Sequence, residues 1–360
     1  MDINSQLKGV NLGGWFSQID AIEEKDPEHF PGIDEHIKNF IGQEDIEYIK
    51  NSGYNHVRVP IDYQVFFDEN GNIRFKDRLL YLEKMIKVIL GKDLLIMLDL
   101  HECPGHDFDT GNRQIQRFFT EKEPVQATLK IWKQLAEIFS FDKRIYFEIL
   151  NEPVAEDNLV WDRLKDQLVE EVRHFAPDQT LIVGSNRWSN VNSFKDFTPI
   201  ENDENIIYNC HFYNPLIFTH QFASWVHNPE CHIKREYPGT YTPEGEIFGQ
   251  VSEKDYGLWN RDRLKETLMP VLEWRAKYNL PVICNEFGVF HQAPRQSQLN
   301  YLKDIISILQ EVGIGWTYWN YKNLDFGIIS IGEQLHADLP QFQNAQRRDM
   351  ELAEYLTGVI

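Results

Sequence analysis

A (β/α)8 barrel, an α/β fold (the TIM barrel) filling residues 1–360 as one domain with a long loop after strand 6, is the architecture this sequence predicts. Three observations predict it. Short runs rich in Val, Ile, Leu and aromatics alternate with longer amphipathic stretches. The runs are apolar almost throughout, as parallel strands covered on both faces must be. Eight such units occur, which close more naturally into a barrel than into an open sheet. A doubly wound sheet would carry a glycine-rich phosphate turn after its first strand, and Gly13 and Gly14 have no third glycine at the required offset.

In chain order, the first strand is expected over Gly9–Trp15, the second over His56–Pro60, and the third over the apolar run Leu94–His101. The fourth, Ile145–Glu152, contains IYFEIL and ends in Asn151-Glu152-Pro153. The remaining four are Thr180–Ser185, Asn205–Tyr213, Pro281–Gly288 and Gly315–Trp319. Between most of them, helical periodicity marks Glu44–Asn51, Asp77–Leu90, Pro124–Phe139, Val160–Phe175, Arg261–Tyr278 and Ser297–Val312. The connection Asn214–Leu258 is far longer than barrel loops usually are. Its Pro, Gly and aromatic residues suit a substrate wall or lid over the C-terminal face, where barrel active sites lie.

Composition excludes several functions. With 56 acidic and 36 basic residues the formal charge is −20, which repels a phosphate backbone, so nucleic acid is not an expected partner. Four cysteines are too few for a disulfide framework; Cys210 and Cys284 fall inside strands, where a thiol acts as a small hydrophobe. Met1–Lys8 lacks the apolar core of a signal peptide, and no apolar run reaches the roughly eighteen residues of a membrane span, so a cytoplasmic protein without a membrane partner is expected. No cofactor is expected. No metal is expected either, because His101, Cys103 and His106 match no zinc spacing. His220, His227 and His232 read as solvated loop residues, and Trp188, Trp225 and Trp259 as sugar platforms or packing. Oligomeric state is hidden.

The polar residues at strand ends carry the chemistry. Glu152 stands at the C-terminal end of the fourth strand and Glu286 at that of the seventh, on opposite sides of the barrel mouth. Two opposed carboxyls suit glycosidic bond cleavage: the departing oxygen needs a proton, and the developing oxocarbenium ion needs an anion on its other side. One must stay protonated and the other ionised, so their surroundings must differ. Glu152 is assigned as acid/base and Glu286 as nucleophile, with Tyr213 of the sixth strand donating to Glu286. Arg58, an arginine inside an apolar strand, would lower the pKa of a nearby carboxylate.

The motifs NLGGW, VRVP, DLH, LNEP, HFY, NEFG and WNY, taken together and in this order, resemble glycoside hydrolase family 5, over nearly the whole chain from NLGGW to Trp319. Within it, NLGGW and LHECPGHDFD look similar to the exo-β-1,3-glucanase-like branch, and the stretch Phe218–Trp225 to bacterial relatives whose substrates are not established. The resemblance implies a retaining β-glycoside hydrolase acting on a β-linked glucan or oligosaccharide. It implies that Arg58 and His101 support the nucleophile's surroundings and that Asn151 binds the hydroxyl beside the reacting carbon. His211 and Tyr213 would orient Glu152 and Glu286, and Trp319 would floor the reacting sugar. Short β-glucosides or oligosaccharides are favoured over polymeric cellulose. Two other functions remain open: a carbohydrate-binding barrel without catalysis, and a transglycosylase using the same glutamates.

Overall fold

The computed structural model describes residues 6–107, 116–245, 251–331 and 339–358. The barrel-wall strands before the long loop are β1 (Lys8–Asn11), β2 (His56–Asp62), β3 (Leu95–Glu102), β4 (Ile145–Glu148), β5 (Leu181–Gly184) and β6 (Ile206–His211). The loop contributes β7 (Gly239–Tyr241) and β8 (Gly257–Trp259), and β9 (Val282–Glu286) and β10 (Gly315–Tyr318) complete the wall. Hydrogen bonding runs β1-β10-β9-β6-β5-β4-β3-β2 in a closed parallel barrel, while β7 and β8 form a separate antiparallel pair. The expected (β/α)8 barrel is the fold observed.

Side-chain alternation divides the barrel interior into levels. Leu7, Met97, Ile182, Ile207 and Ile283 form a buried apolar plug of their own. Two residues further along three of those strands stand Asp99, Asn209 and Asn285, all buried, and Arg58 and Glu148 join them from β2 and β4. On β3, β6 and β9 an apolar inward residue therefore comes first and a polar one next, towards the C-terminal end. Residues of the opposite parity face the helices. Phe147, for example, packs against Trp132 of the helix Lys122–Phe139 with ring centroids 5.6 Å apart, and the indole N–H donates to the Ile149 carbonyl at 2.9 Å.

Several elements differ from expectation. β4 stops at Glu148, four residues before Glu152, because the chain turns there: the Asn151 amide donates to Leu100 O at 2.9 Å, and Glu152 takes a left-handed φ of 42°. β1 stops at Asn11. Helices Ile19–Lys25, Ile33–Phe40 and Met350–Thr357 were not expected; each is two turns or so, too short for a clear period. The pattern over Arg261–Tyr278 breaks at Leu268 into Arg261–Thr267 and Met269–Tyr278, since Pro270 has no amide hydrogen to continue the first helix.

The long connection is more ordered than a plain loop. Besides the β7–β8 pair it holds the short helix Leu216–Thr219 and a buried Arg235–Glu230 ion pair at 2.5 Å. Its buried Cys231, Tyr237, Tyr241 and Trp259 belong to the same apolar cluster as the barrel's outer wall. Trp259 is packing rather than a sugar platform, its N–H donating to Asp255 O at 2.8 Å. Within this connection 246–250 lie outside the described residues, as do the last two residues of the LHECPGHDFD stretch and most of the Met1–Lys8 segment.

Candidate active site

A cavity of about 910 Å³ opens at the C-terminal ends of the strands, and Glu152, Glu286, His101, Asn151, His211, Tyr213 and Trp319 all line it. Arg58 lies directly beneath, with no exposed surface.

Arg58 organises the layer below the cavity. Its Nε and Nη2 donate to the two oxygens of Glu148 at 2.7 and 2.9 Å, and Nη1 donates to Glu286 Oε1 at 2.7 Å and Asn11 Oδ1 at 3.0 Å. Nη2 also donates to Asn151 Oδ1 at 2.8 Å and lies 3.0 Å from Asp99 Oδ2. A buried guanidinium is tolerable when its donors are met by anions in this way. Glu148 is held on its other side by the amides of Asn209 and Asn285, at 2.7 and 2.8 Å.

Glu286 ends β9, opposite a register shift between Cys210 and His211 of β6. Asn285 already points inward to Glu148, so strict alternation would turn Glu286 outward; the irregularity is where the neighbouring side chain is re-aimed into the cavity. Besides Arg58, Glu286 takes the Tyr213 hydroxyl on Oε2 at 3.0 Å. Glu152 meets a different neighbour, with His211 Nδ1 2.6 Å from its Oε1. The same nitrogen lies 3.5 Å from Glu286 Oε2, so His211 stands between the two carboxyls. One oxygen of each glutamate and a ring nitrogen of His211 all fall within 4.8 Å of one another.

Burial raises both carboxyls, and their neighbours set the order. Glu152 is pushed up to about 8 by burial, partly opposed by Arg58 and reinforced by Glu148. Glu286 is pushed up to about 7 by burial, with His211 and Arg58 both pulling it down. Glu152 therefore keeps its proton to higher pH than Glu286. Burial holds His211 neutral-favouring, below the ordinary histidine value. Asp99 is raised to about 7, again by burial against the pull of Arg58.

Trp319 owes its position to glycines in two motifs. A Cβ on Gly13 would come within 2.6 Å of the Trp319 ring, and one on Gly288 within 2.5 Å of the Trp319 carbonyl. His101 stacks on Trp319 with ring planes 2° apart and centroids 5.6 Å apart, and its Nδ1 meets Asp99 Oδ2 at 2.7 Å. Through Asp99, which also lies 3.0 Å from Arg58, it reaches the guanidinium.

The sequence did not single out Asp99, Glu148, Asn11 or Asn209, although a carboxylate at an inward position of an apolar strand is itself a signal that a buried cation must face it. His220 corrects an expectation: it is no solvated loop residue but packs among Tyr213, Trp225 and Phe326, with centroids 5.0, 6.2 and 5.4 Å away. Trp188 and Trp225 line the cavity, as a platform role requires.

The model of Cellulase (glycosyl hydrolase family 5) matches residues 21–325, a span that includes Arg58, His101, Asn151, Glu152, His211, Tyr213, Glu286 and Trp319. The chain belongs to glycosyl hydrolase family 5. This family 5 enzyme is 32% identical over 329 residues to Endoglucanase C of Acetivibrio thermocellus, covering 89% of this chain and 92% of that protein. It is 28% identical to Cellodextrinase A of Ruminococcus flavefaciens, over 86% of this chain and 83% of the relative. In fold it is similar to a solved endoglucanase of the hyperthermophilic Thermotoga maritima, with a TM-score of 0.73 at 21% identity, over 98% of this chain and 97% of the other.

Proposed function

We propose that this family 5 enzyme hydrolyses β-glucosidic bonds in β-glucans or short β-gluco-oligosaccharides with retention of configuration, Glu286 as nucleophile and Glu152 as acid/base. A Glu286 oxygen attacks the anomeric carbon while Glu152 gives its proton to the departing glycosidic oxygen. Glu152, now ionised, takes a proton from water as the water oxygen attacks the same carbon, and Glu286 leaves as carboxylate. Asn151 holds the hydroxyl beside the reacting carbon, and Trp319 lies under the ring; both line the cavity, which supports these roles.

The observation that carries this reading is the approach of the two carboxyls, with one oxygen of each within 4.8 Å. Retaining pairs stand about 5–5.5 Å apart, whereas inverting pairs need about 6.5–9.5 Å to admit a water. Their unequal proton affinities support the split of roles: the guanidinium and phenol serve Glu286, and Glu152 has His211. A barrel that merely binds sugar has no use for a matched acid and base. An endoglucanase and a cellodextrinase among the relatives support β-glucan as the substrate class.

The test is proton NMR of the first-formed product from an aryl β-glucoside or cello-oligosaccharide. The β-anomer should appear first, and Glu286→Gln should abolish turnover while leaving the circular dichroism spectrum unchanged. Initial release of the α-anomer, or an active Glu286→Gln enzyme, would refute the assignment.

A further inference from the structure

Four loops meet by their side chains at one end of the cavity. Lys25 ends the helix Ile19–Lys25 that follows β1, and its ammonium pairs with the carboxylate of Asp325 in the loop after β10. The same ammonium lies 5.5 Å from the centroid of Trp225, in the long loop after β6. Trp225 in turn packs on Phe290, after β9, with centroids 5.6 Å apart, and on Phe326, 6.5 Å away. Lys25, Trp225 and Asp325 all line the cavity. Asp325 is fixed there by an uncommon backbone: Asn323, Leu324 and Asp325 are all left-handed, with φ of 52°, 48° and 66°. Three consecutive non-glycine residues in that region cost energy, and such strain persists where a side chain must be aimed.

The strand order says which end this is. β10 stands four places from β4 around the barrel and β1 four places from β5, so the Lys25–Asp325 pair lies diametrically across the mouth from the loops after β4 and β5. Glu152 follows β4, and the loop after β5 is tied to it by the Trp188 amide donating to Pro153 O at 3.2 Å. A proton donor stands over the leaving group, so the leaving sugar lies towards β4 and β5, and the glycone runs the other way, towards β1 and β10.

We propose that the Lys25–Asp325 pair, seated against Trp225, closes the glycone end of the cleft, so that the enzyme engages chains by their non-reducing ends and releases a glycone of one short length. This rests on Glu152 being the proton donor.

The experiment uses cellotetraose, cellopentaose and cellohexaose labelled at the reducing end, with early products separated by chromatography. The wild-type enzyme should release one unlabelled product length from all three. Lys25→Ala and Asp325→Asn should each yield several lengths, and the swapped Lys25→Asp/Asp325→Lys enzyme should return towards one. Mixed lengths from the wild type, or an unchanged single length in both variants with their folds intact, would overturn the closure. Failure of the underlying reading looks different: the wild type would then turn over neither these oligosaccharides nor an aryl β-glucoside.

Discussion

Arg58 shows what the site demands of one residue. Buried completely, it faces Asp99, Glu148 and Glu286, and removing it would leave three carboxyls without a counter-charge. Arg58→Met should therefore cost about 3–5 kcal/mol of stability, the usual effect of breaking a buried pair from one side. The stranded carboxyls would hold protons that the unfolded chain gives up above about pH 4. In the wild type Asp99 and Glu286 already hold protons to about pH 7, and without Arg58 they would hold them higher still, so the deficit relative to wild type should widen as pH rises above about 7. Chemical denaturation at several pH values measures this. The two catalytic carboxyls make a second prediction. The proposed mechanism needs Glu286 ionised and Glu152 protonated, so kcat/KM should be bell-shaped, falling below about pH 7 and above about pH 8. The two limbs belong to the pair. Glu152→Gln should remove the alkaline limb, most clearly with an aryl glycoside whose leaving group needs no proton.

At the scale of elements, the wall of the barrel was legible because each strand is buried on both faces and reads as a nearly continuous apolar run. The strand ends were less so: LNEP looks like a continuation of IYFEIL, yet the chain leaves the sheet at Glu148 and delivers Glu152 from a turn. The polar layer under the site was missed for another reason. Glu148 and Asp99 are single acids in apolar runs, and Glu148 meets its partner Arg58 across 90 residues of sequence, a distance no local pattern spans. His220 was misread because Phe326, one of the aromatic residues enclosing it, comes from the loop after β10, far away in the sequence. Glu148 is a positioning residue, acting through Arg58, and Glu148→Gln tests it. Misplacement of the nucleophile can cost about 100-fold, so kcat should fall by up to that factor with KM little changed. Relieved of one competing anion, Arg58 would favour the charged form of Glu286, and Glu152 would lose a neighbour that raises it. Both limbs of the pH profile should therefore move to lower pH, a shift that simple destabilisation does not produce.

For the whole molecule, the net charge of −20 and the acidic residues Asp20, Glu24, Glu102 and Asp107 around the cavity set the field that a substrate enters. Like charges repel at low ionic strength and are screened beyond about 10 Å at 0.1 M salt. On a carboxymethylated β-glucan, kcat/KM should rise severalfold as salt is raised from about 10 to 150 mM, whereas on neutral cello-oligosaccharides it should stay flat; equal salt responses would contradict this. The fold and the strand-end pair were both within reach of the sequence, since they depend on periodicity and on motif order. The shape of the cleft was not, because it is made by side chains such as Lys25, Trp225 and Asp325 that meet only after the barrel closes. The proposed mechanism depends on Glu286 bonding covalently to the sugar while Glu152 serves the departing oxygen. Incubation with a 2-deoxy-2-fluoro-β-glucoside bearing a good leaving group, followed by peptide mass mapping, tests that bond directly. One fluoroglycosyl unit should be found on the peptide containing Glu286; an adduct on another carboxylate, or none from an enzyme that turns over the ordinary glucoside, would contradict it.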